Sequence, residues 1–132
     1  RDWIDETNPR FSFEVSERYV LAKNISDAEI NSARNIRTQV LNRMNDLLSD
    51  KAIICLPTTI GPAPVVGQKL SDRTDLRLKT SQLTCIAGTT GGPQINLPLA
   101  HVDGMPVGIS LLGSQGDDEA LIEVARRLRV DD

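Results

Sequence analysis

The sequence contains a single histidine, so a Ser–His–acid or Cys–His catalytic arrangement would depend on His101. His101 lies next to a turn-forming Asp103-Gly104 pair, where an exposed turn residue is the simpler interpretation. The acidic pair Asp117-Asp118 has the chemistry for acid and base roles, but it stands at the start of a predicted helix, where such residues serve as caps. We therefore assign no catalytic residue from these side chains.

No pattern in the sequence predicts a metal or a cofactor. The two cysteines, Cys55 and Cys85, are far apart and no second histidine accompanies them, so the spacing of a metal site is absent. The glycine-rich residues 88–92 match neither phosphate-binding pattern, and a close helix–strand turn explains them better. We interpret both cysteines as small buried thiols in a reducing compartment, which predicts a cytoplasmic location.

The composition excludes several classes of partner. The 132 residues carry a net charge of −3, and the basic residues are scattered, so we expect no nucleic-acid partner. No apolar run approaches the roughly 18 residues of a membrane span, and no secretory signal is present, so we expect no membrane partner. All four aromatic residues lie within residues 1–19, and the chain begins at Arg1, as expected of a piece of a longer protein.

Residues 94–112 carry the clearest β pattern, around which the rest of the chain serves as cover or support. Apolar residues alternate with others on both sides of Asp103-Gly104. They are Ile95, Leu97 and Leu99 before the pair, and Val107, Ile109 and Leu111 after it. A period of two around an Asp-Gly pair predicts a β-hairpin.

Three segments predict helices: Phe13–Lys23, residues 26–48 and residues 117–129. The second begins with a Ser26-x-x-Glu29 capping box, and the third has acidic residues in its first turn and arginines in its last. The predicted apolar faces are Ile30, Ala33, Ile36, Val40, Met44 and Leu47 on the second, and Leu121, Ile122, Ala125 and Leu128 on the third. The longer stripe suits a helix lying on a sheet or, alternatively, a coiled-coil seam.

Residues 52–56 form a continuous apolar run, which predicts a central strand buried on both faces. Pro57 ends it, and residues 58–67, rich in proline and glycine, predict an irregular loop of the kind that builds sites in α/β folds. Residues 70–80 are polar and ambiguous. With the helix that must precede the turn at residues 88–92, the total of three strands and about four helices predicts an α/β fold in one incomplete domain over residues 1–132, with open sheet edges that need partners.

Several stretches, in the same order, resemble the C-terminal part of the amidase signature family. They are AIICLPTTIGPAPVVG at 52–67, LTCIAGTTGGPQINLPL at 83–99, DGMPVGISLLG at 103–113 and GDDEAL at 116–121. No single stretch is specific, but the ordered set covers nearly the whole chain. The resemblance implies one large mixed β-sheet flanked by helices, of which this chain forms part.

The same resemblance implies hydrolysis of the carbon–nitrogen bonds of amides, without a cofactor. The family's catalysts are a Lys, a Ser in a cis peptide and a nucleophilic Ser, in a Gly/Ser-rich signature upstream of the matched part. The chain contains no Gly-Gly-Ser-Ser-Gly-Gly pattern, so none of the three maps onto it. What does carry over is a substrate-pocket role for Arg77 and Ser81, and for Thr58 and Thr59 at the strand end. A solvated helix face is the alternative for the first pair.

Three functions remain open at this point. The first is the C-terminal portion of an amidase-type hydrolase, inactive alone, which contributes sheet scaffold and part of the pocket for a small-molecule amide. The second is a catalytically inert binding or assembly module, which would associate with a partner or a second copy through its strand edges. The third is a small ligand-binding domain using residues 62–67. The lack of charged residues along residues 53–56 favours the first.

Overall fold

The computed structural model describes residues 2–128. Its helices are α1 Asp2–Thr7, α2 Phe13–Lys23, α3 Asp27–Leu47, α4 Leu70–Thr90 and α5 Asp118–Arg127, and its strands are β1 Ile54–Pro57, β2 Gln94–Val102 and β3 Met105–Leu112. A short 3₁₀ turn, Ser49–Lys51, follows α3. The chain divides into two compact units, one ending at Ile36 and the other beginning at Arg37.

In the first unit, the capping box predicted at Ser26 is confirmed. The backbone N–H of Ser26 donates to Glu29 Oε2 over 2.8 Å, and the Glu29 N–H donates to Ser26 Oγ over 3.3 Å. The Ser26 hydroxyl also donates to the same carboxylate over 2.7 Å. These hydrogen bonds lower the pKa of Glu29 below its ordinary value. The bond from the Ser26 hydroxyl has the larger effect and the bond from the Ser26 backbone N–H the smaller one.

Helix α1 is not among the helices predicted from the sequence. The predicted apolar stripe of α3 is confirmed only in part. Ile30 and Ile36 are exposed, and Leu48, one residue beyond the helix, is buried where Leu47 was expected. Apolar residues at helical spacing predict which face of a helix is buried, but not which of its turns pack against another helix or strand.

The second unit is built on a three-stranded antiparallel sheet in the order β1-β3-β2. The predicted hairpin is confirmed, with Val102 paired to Met105 across its turn. Asp103 and Gly104 both have positive φ, 50° and 76°, as a two-residue turn of type I′ requires. The α/β fold class predicted from the sequence is therefore confirmed, and the described sheet is antiparallel.

Alternation along β3 divides the core between the two faces of the sheet. On one face, which we call the α3 face, Leu112 packs with Met44 and Leu48, and with Ile54, Leu56, Ile86 and Ala87 at its margin. On the other, the α5 face, Leu111 packs with Leu121 and Ala125, and with Ile53, Ile95, Leu97 and Val124 at its margin. The buried face predicted for α5 is half right, because Ile122 and Leu128 are exposed. Residue 129 of that prediction lies outside the described residues.

Two predictions about the cysteines and their strand are wrong. Within residues 2–128, β1 pairs only with β3, so it is an edge strand rather than a central one. Cys55 lies on its less covered side and is exposed, and Cys85 is exposed on α4. Neither thiol is buried in the described structure. The prediction failed at Cys55 because an apolar run in a sequence does not show how many strands flank it.

Helix α4 includes residues 70–80, which the sequence left ambiguous. The helix ends at Gly91, whose φ of 76° is left-handed and whose N–H donates to Ala87 O over 2.7 Å. The predicted helix–strand turn is confirmed, although residues 88–90 form the last turn of the helix. Near α5, the Asp117 side chain makes no capping hydrogen bond and pairs instead with Lys51 Nζ, 2.7 Å away.

Candidate functional site

Where β1 ends, Thr58 begins a cluster of hydrogen-bonded side chains on the α3 face. Its hydroxyl donates to Asn96 Oδ1 over 2.5 Å and lies 2.7 Å from Ser110 Oγ. Gln94 Nε2 donates to Ser110 Oγ over 2.9 Å. We call Thr58, Gln94, Asn96 and Ser110 the polar network. It joins all three strands through side chains, beside the leucines of the same face.

The strand register explains how these residues meet. Ser110 on β3 lies opposite Asn96 on β2 and opposite Leu56 on β1. Leu56 is two residues before Thr58, so Thr58 continues the same face of the sheet. Ser110 is completely buried, at 0% exposure, so its hydroxyl depends on protein partners for its hydrogen bonds. The backbone continues the pairing beyond β1, because the Thr58 N–H donates to Gly108 O over 2.9 Å.

Gly108 leaves the space that the network occupies. A Cβ on this residue would overlap Asn96 Oδ1 and lie 2.9 Å from Thr58 Oγ1. A larger residue would displace the Asn96 side chain from its hydrogen bond with Thr58. The glycine is thus explained by close approach of side chains and not by a turn.

The loop after Thr58 borders a groove of about 350 Å³. Its lining is Ile60, Gly61, Pro62, Ala63, Pro64 and Val65 from the loop, with Gln68, Asp72, Asp75 and Leu76 at the start of α4. Thr59 immediately precedes these lining residues, and its hydroxyl donates to Gly61 O over 2.7 Å. The lining mixes apolar loop residues with the polar side chains of Gln68, Asp72 and Asp75, and the groove is open to solvent.

Arg77 and Ser81 lie one turn apart on α4, just beyond the lining residue Leu76. The Ser81 hydroxyl donates to the carbonyl oxygen of Arg77 over 2.8 Å. Arg77 Nε is buried, and within residues 2–128 it has no hydrogen-bond partner. On the same helix, Asp75 forms a salt bridge with Lys79, with 2.8 Å between the carboxylate oxygen and Nζ.

None of the four residues predicted from the sequence is among those that line this groove. Thr58 and Thr59 stand at one end of the lining loop, and Arg77 and Ser81 follow the lining part of α4. Whether they bind substrate stays a prediction.

Sequence reasoning missed Gln94, Asn96, Ser110 and Gly108. A signal for them existed, because polar or small residues recur at every second position on one face of both hairpin strands.

One known protein family accounts for most of the sequence. The Amidase family matches residues 5–122. The chain belongs to the amidase family. Among curated relatives, it is 29% identical over 126 residues to Amidase 1 of Arabidopsis thaliana and 34% identical over 133 residues to a glutamyl-tRNA(Gln) amidotransferase subunit of Fusobacterium nucleatum. Each alignment covers 96% of the chain.

Solved structures agree with this assignment. A glutamyl-tRNA(Gln) amidotransferase subunit of Thermotoga maritima superposes with a TM-score of 0.71 at 26% identity, over 92% of this chain and 28% of that one. An allophanate hydrolase of Kluyveromyces lactis gives a TM-score of 0.79 at 24% identity, over 96% and 21% respectively, and shows a shared fold. The chain spans about 30% of Amidase 1 and 26% of the Fusobacterium protein.

Metal centres and membrane spans are two further features that a chain can carry. Across residues 2–128, no three His, Cys, Asp or Glu side chains are grouped so as to hold a metal ion. Among the helices of the same range, none has both the length and the apolar character needed to cross a bilayer.

Proposed function

We propose that this chain is the C-terminal part of an amidase-type hydrolase that cleaves the carbon–nitrogen bonds of small-molecule amides. The observation that carries the proposal is the match of nearly the whole chain to less than a third of its relatives. The Lys, the cis Ser and the nucleophilic Ser would then lie in a preceding part, since no residue here matches their signature.

In such an enzyme, this chain supplies structure and part of the pocket. The sheet holds Thr58 at a fixed place through the polar network, and Thr58 and Thr59 start the loop that borders the groove. Arg77 and Ser81, which follow the lining part of α4, would face the substrate once the preceding part of the enzyme completes the pocket. The attack on the amide carbonyl, the proton transfer through the cis Ser and the stabilisation of the oxyanion are performed by the preceding part.

The proposal is tested by adding the part of the enzyme that this chain lacks. The chain is purified alone and also co-expressed with the portion of Arabidopsis Amidase 1 that lies outside their alignment. We expect no amide hydrolysis by either polypeptide alone, and saturable hydrolysis when both are present. The co-expressed portion without this chain is the control. Saturable hydrolysis by the chain alone, abolished by a point change within it, would contradict the proposal.

A second measurement does not depend on assembly with a foreign polypeptide. An antibody against this chain is used on a denaturing gel of its natural source. A band several times larger than 14.5 kDa is expected if the chain is part of a full-length amidase. A band at 14.5 kDa, with no catalytic polypeptide copurifying, would favour the inert module instead.

The inert binding or assembly module is the second candidate function. Within the described residues, β1 and β2 each have one edge without a strand partner, the geometry through which a sheet can add a strand. Self-association through these edges predicts a mass in analytical ultracentrifugation that rises with concentration. A constant monomer mass across the range would rule it out. The cytoplasmic location stays a prediction.

A further inference from the structure

The first compact unit, which ends at Ile36, leaves most of its large apolar side chains uncovered. Trp3 on α1 is exposed, and so are Phe13, Val20 and Leu21 on α2. Monomeric proteins rarely leave several large apolar side chains uncovered on neighbouring elements, because each costs free energy in water. This part of the unit therefore has the character of an interface.

A cavity of about 230 Å³ lies within the same unit, lined by Ile4, Tyr19, Ala22 and Lys23. The Lys23 ammonium group forms a salt bridge with Asp5, so the lining carries no unpaired charge. The Tyr19 ring is stacked on Phe11, with 5.1 Å between the ring centroids. An apolar cavity of ~150 Å³ accepts a benzene ring, so this one has room for a larger aromatic side chain.

Trp3 is an aromatic side chain placed beside this cavity but not in it. It is the only tryptophan in the chain, it is 60% exposed, and it precedes the lining residue Ile4 without lining the cavity itself. Successive side chains of a helix point about 100° apart, so Trp3 projects next to the cavity. In a two-fold contact, each copy can then give its own Trp3 and receive the other's, which makes the surface self-complementary.

The area around Trp3 is also suitable for a contact between two copies. With Phe13, Val20, Leu21 and Ile25, its exposed apolar surface is on the order of several hundred Å². A stable dimer buries about 800 Å² on each copy, of which the central part is apolar and the rim polar. Tryptophan and tyrosine are the residues that most often supply the binding free energy at such a centre.

We propose that this surface binds a second copy of the chain, with Trp3 of each copy inserted into the cavity lined by Ile4, Tyr19, Ala22 and Lys23 of the other. The interface lies in the first unit and uses neither edge of the sheet, which belongs to the second. It goes beyond the proposed amidase function and does not depend on it.

The test is analytical ultracentrifugation of the 132-residue chain in reductant, which prevents disulfides between the exposed thiols. The mass should rise from monomer to dimer with concentration, and the fluorescence of the single tryptophan should shift to the blue in parallel. Trp3→Ala should weaken dimerisation about thirtyfold or more, as expected for a central tryptophan. The matched control is Leu78→Ala, at a position 59% exposed in the second unit, which should leave dimerisation unchanged.

A second variant tests the cavity. Ala22→Phe fills the space at an exposed position, so the chain should stay monomeric and its Trp3 emission should not change with concentration. Mixing it with Trp3→Ala should restore some association, because a mixed pair retains one Trp3-in-cavity contact. A mixture that associates no more than either variant alone would overturn the proposal.

Two other outcomes would assign the interaction elsewhere. An association that survives Trp3→Ala would place the contact on another surface, such as the sheet edges. A blue shift that appears only in the presence of the co-expressed portion of Amidase 1, and at no concentration of the chain alone, would assign the surface to the preceding part of the enzyme. Either result, or a monomer mass at every concentration, overturns the proposed dimer.

Discussion

Leu111 and Leu112 are neighbours on β3 with side chains on opposite faces of the sheet, and the rows of residues beside them differ. On the α5 face, Leu111 is flanked across the strands by Cys55 and Ile95, and the buried cluster is made of apolar residues from β3 and α5. On the α3 face, the row that contains Leu112 continues two residues earlier into Ser110, which is fully buried and hydrogen-bonded.

The contrast shows two kinds of packing constraint within one small sheet. An all-apolar face can be satisfied by any well-packed set of side chains of the right volume. A buried hydroxyl requires partners at set distances, and each loss leaves a polar group without a hydrogen bond. The α3 face therefore carries more geometric constraint, and it is also the face from which Thr58 leads into the groove.

The largest effects should come from the leucines that fill the core on each face. Leu112→Ala and Leu121→Ala, at positions 1% and 2% exposed, should each lower the free energy of unfolding by about 2–5 kcal/mol. Urea denaturation followed by circular dichroism measures both. Val66→Ala, at a position 99% exposed, is the control and should stay within about 0.5 kcal/mol. If only one of the two variants lost that much free energy of unfolding, the leucine on the other face would contribute little to stability.

Gly108→Ala should act on the α3 face only. The added methyl group would overlap Asn96 Oδ1, so we expect a loss of about 1–3 kcal/mol in the free energy of unfolding, together with displacement of the Asn96 side chain. Gly88→Ala is the matched control, because it lies in α4 with open space around it and should stabilise the chain by about 0.5–1 kcal/mol. Equal stability of the two variants would contradict the close approach described at Gly108.

Ser110→Ala should cost less, because its partners are only half-buried and can turn towards water. Thr58 and Gln94 each lose one hydrogen bond, for an expected loss of about 1–2 kcal/mol. Urea denaturation measures this loss. The more telling readout is the Asn96 side-chain N–H₂ signals, which should shift although Asn96 does not contact Ser110 directly. Unchanged signals would mean that the network does not transmit order from Ser110 to Asn96.

The smallest effect is expected outside both faces, at the capping box of α3. The pKa of Glu29 is lowered in the folded state, so its stabilising contribution is present above the ordinary pKa of 4.5 and is lost as the pH falls through the lower folded value. Amide exchange in the first turn of α3 should quicken over that interval. Glu29→Gln should lose this pH dependence. An identical pH response in the variant would assign the change to other carboxylates.

Local patterns in the sequence predicted the hairpin, the capping box and the fold class, because each of these depends on residues close together in the chain. The polarity of a strand alone does not reveal its neighbours, and this is why the edge position of β1 and the exposure of Cys55 were missed. Thr58 was predicted through a family resemblance, whereas its partners Ser110 and Asn96 depend on strand register. The register of β2 against β3 could be predicted from the position of the hairpin turn, but the pairing of β1 with β3 could not.

The two exposed thiols have a practical consequence for any work with the purified chain. Cys55 lies on the outer strand β1 and Cys85 lies on α4, and both are accessible within the described structure. Accessible thiols of different copies form disulfides under air oxidation, so a covalent dimer would arise without any strand pairing. Samples kept in reductant remove this artefact. The rate at which each thiol then reacts with a labelling reagent reports separately whether β1 or α4 becomes covered in a complex.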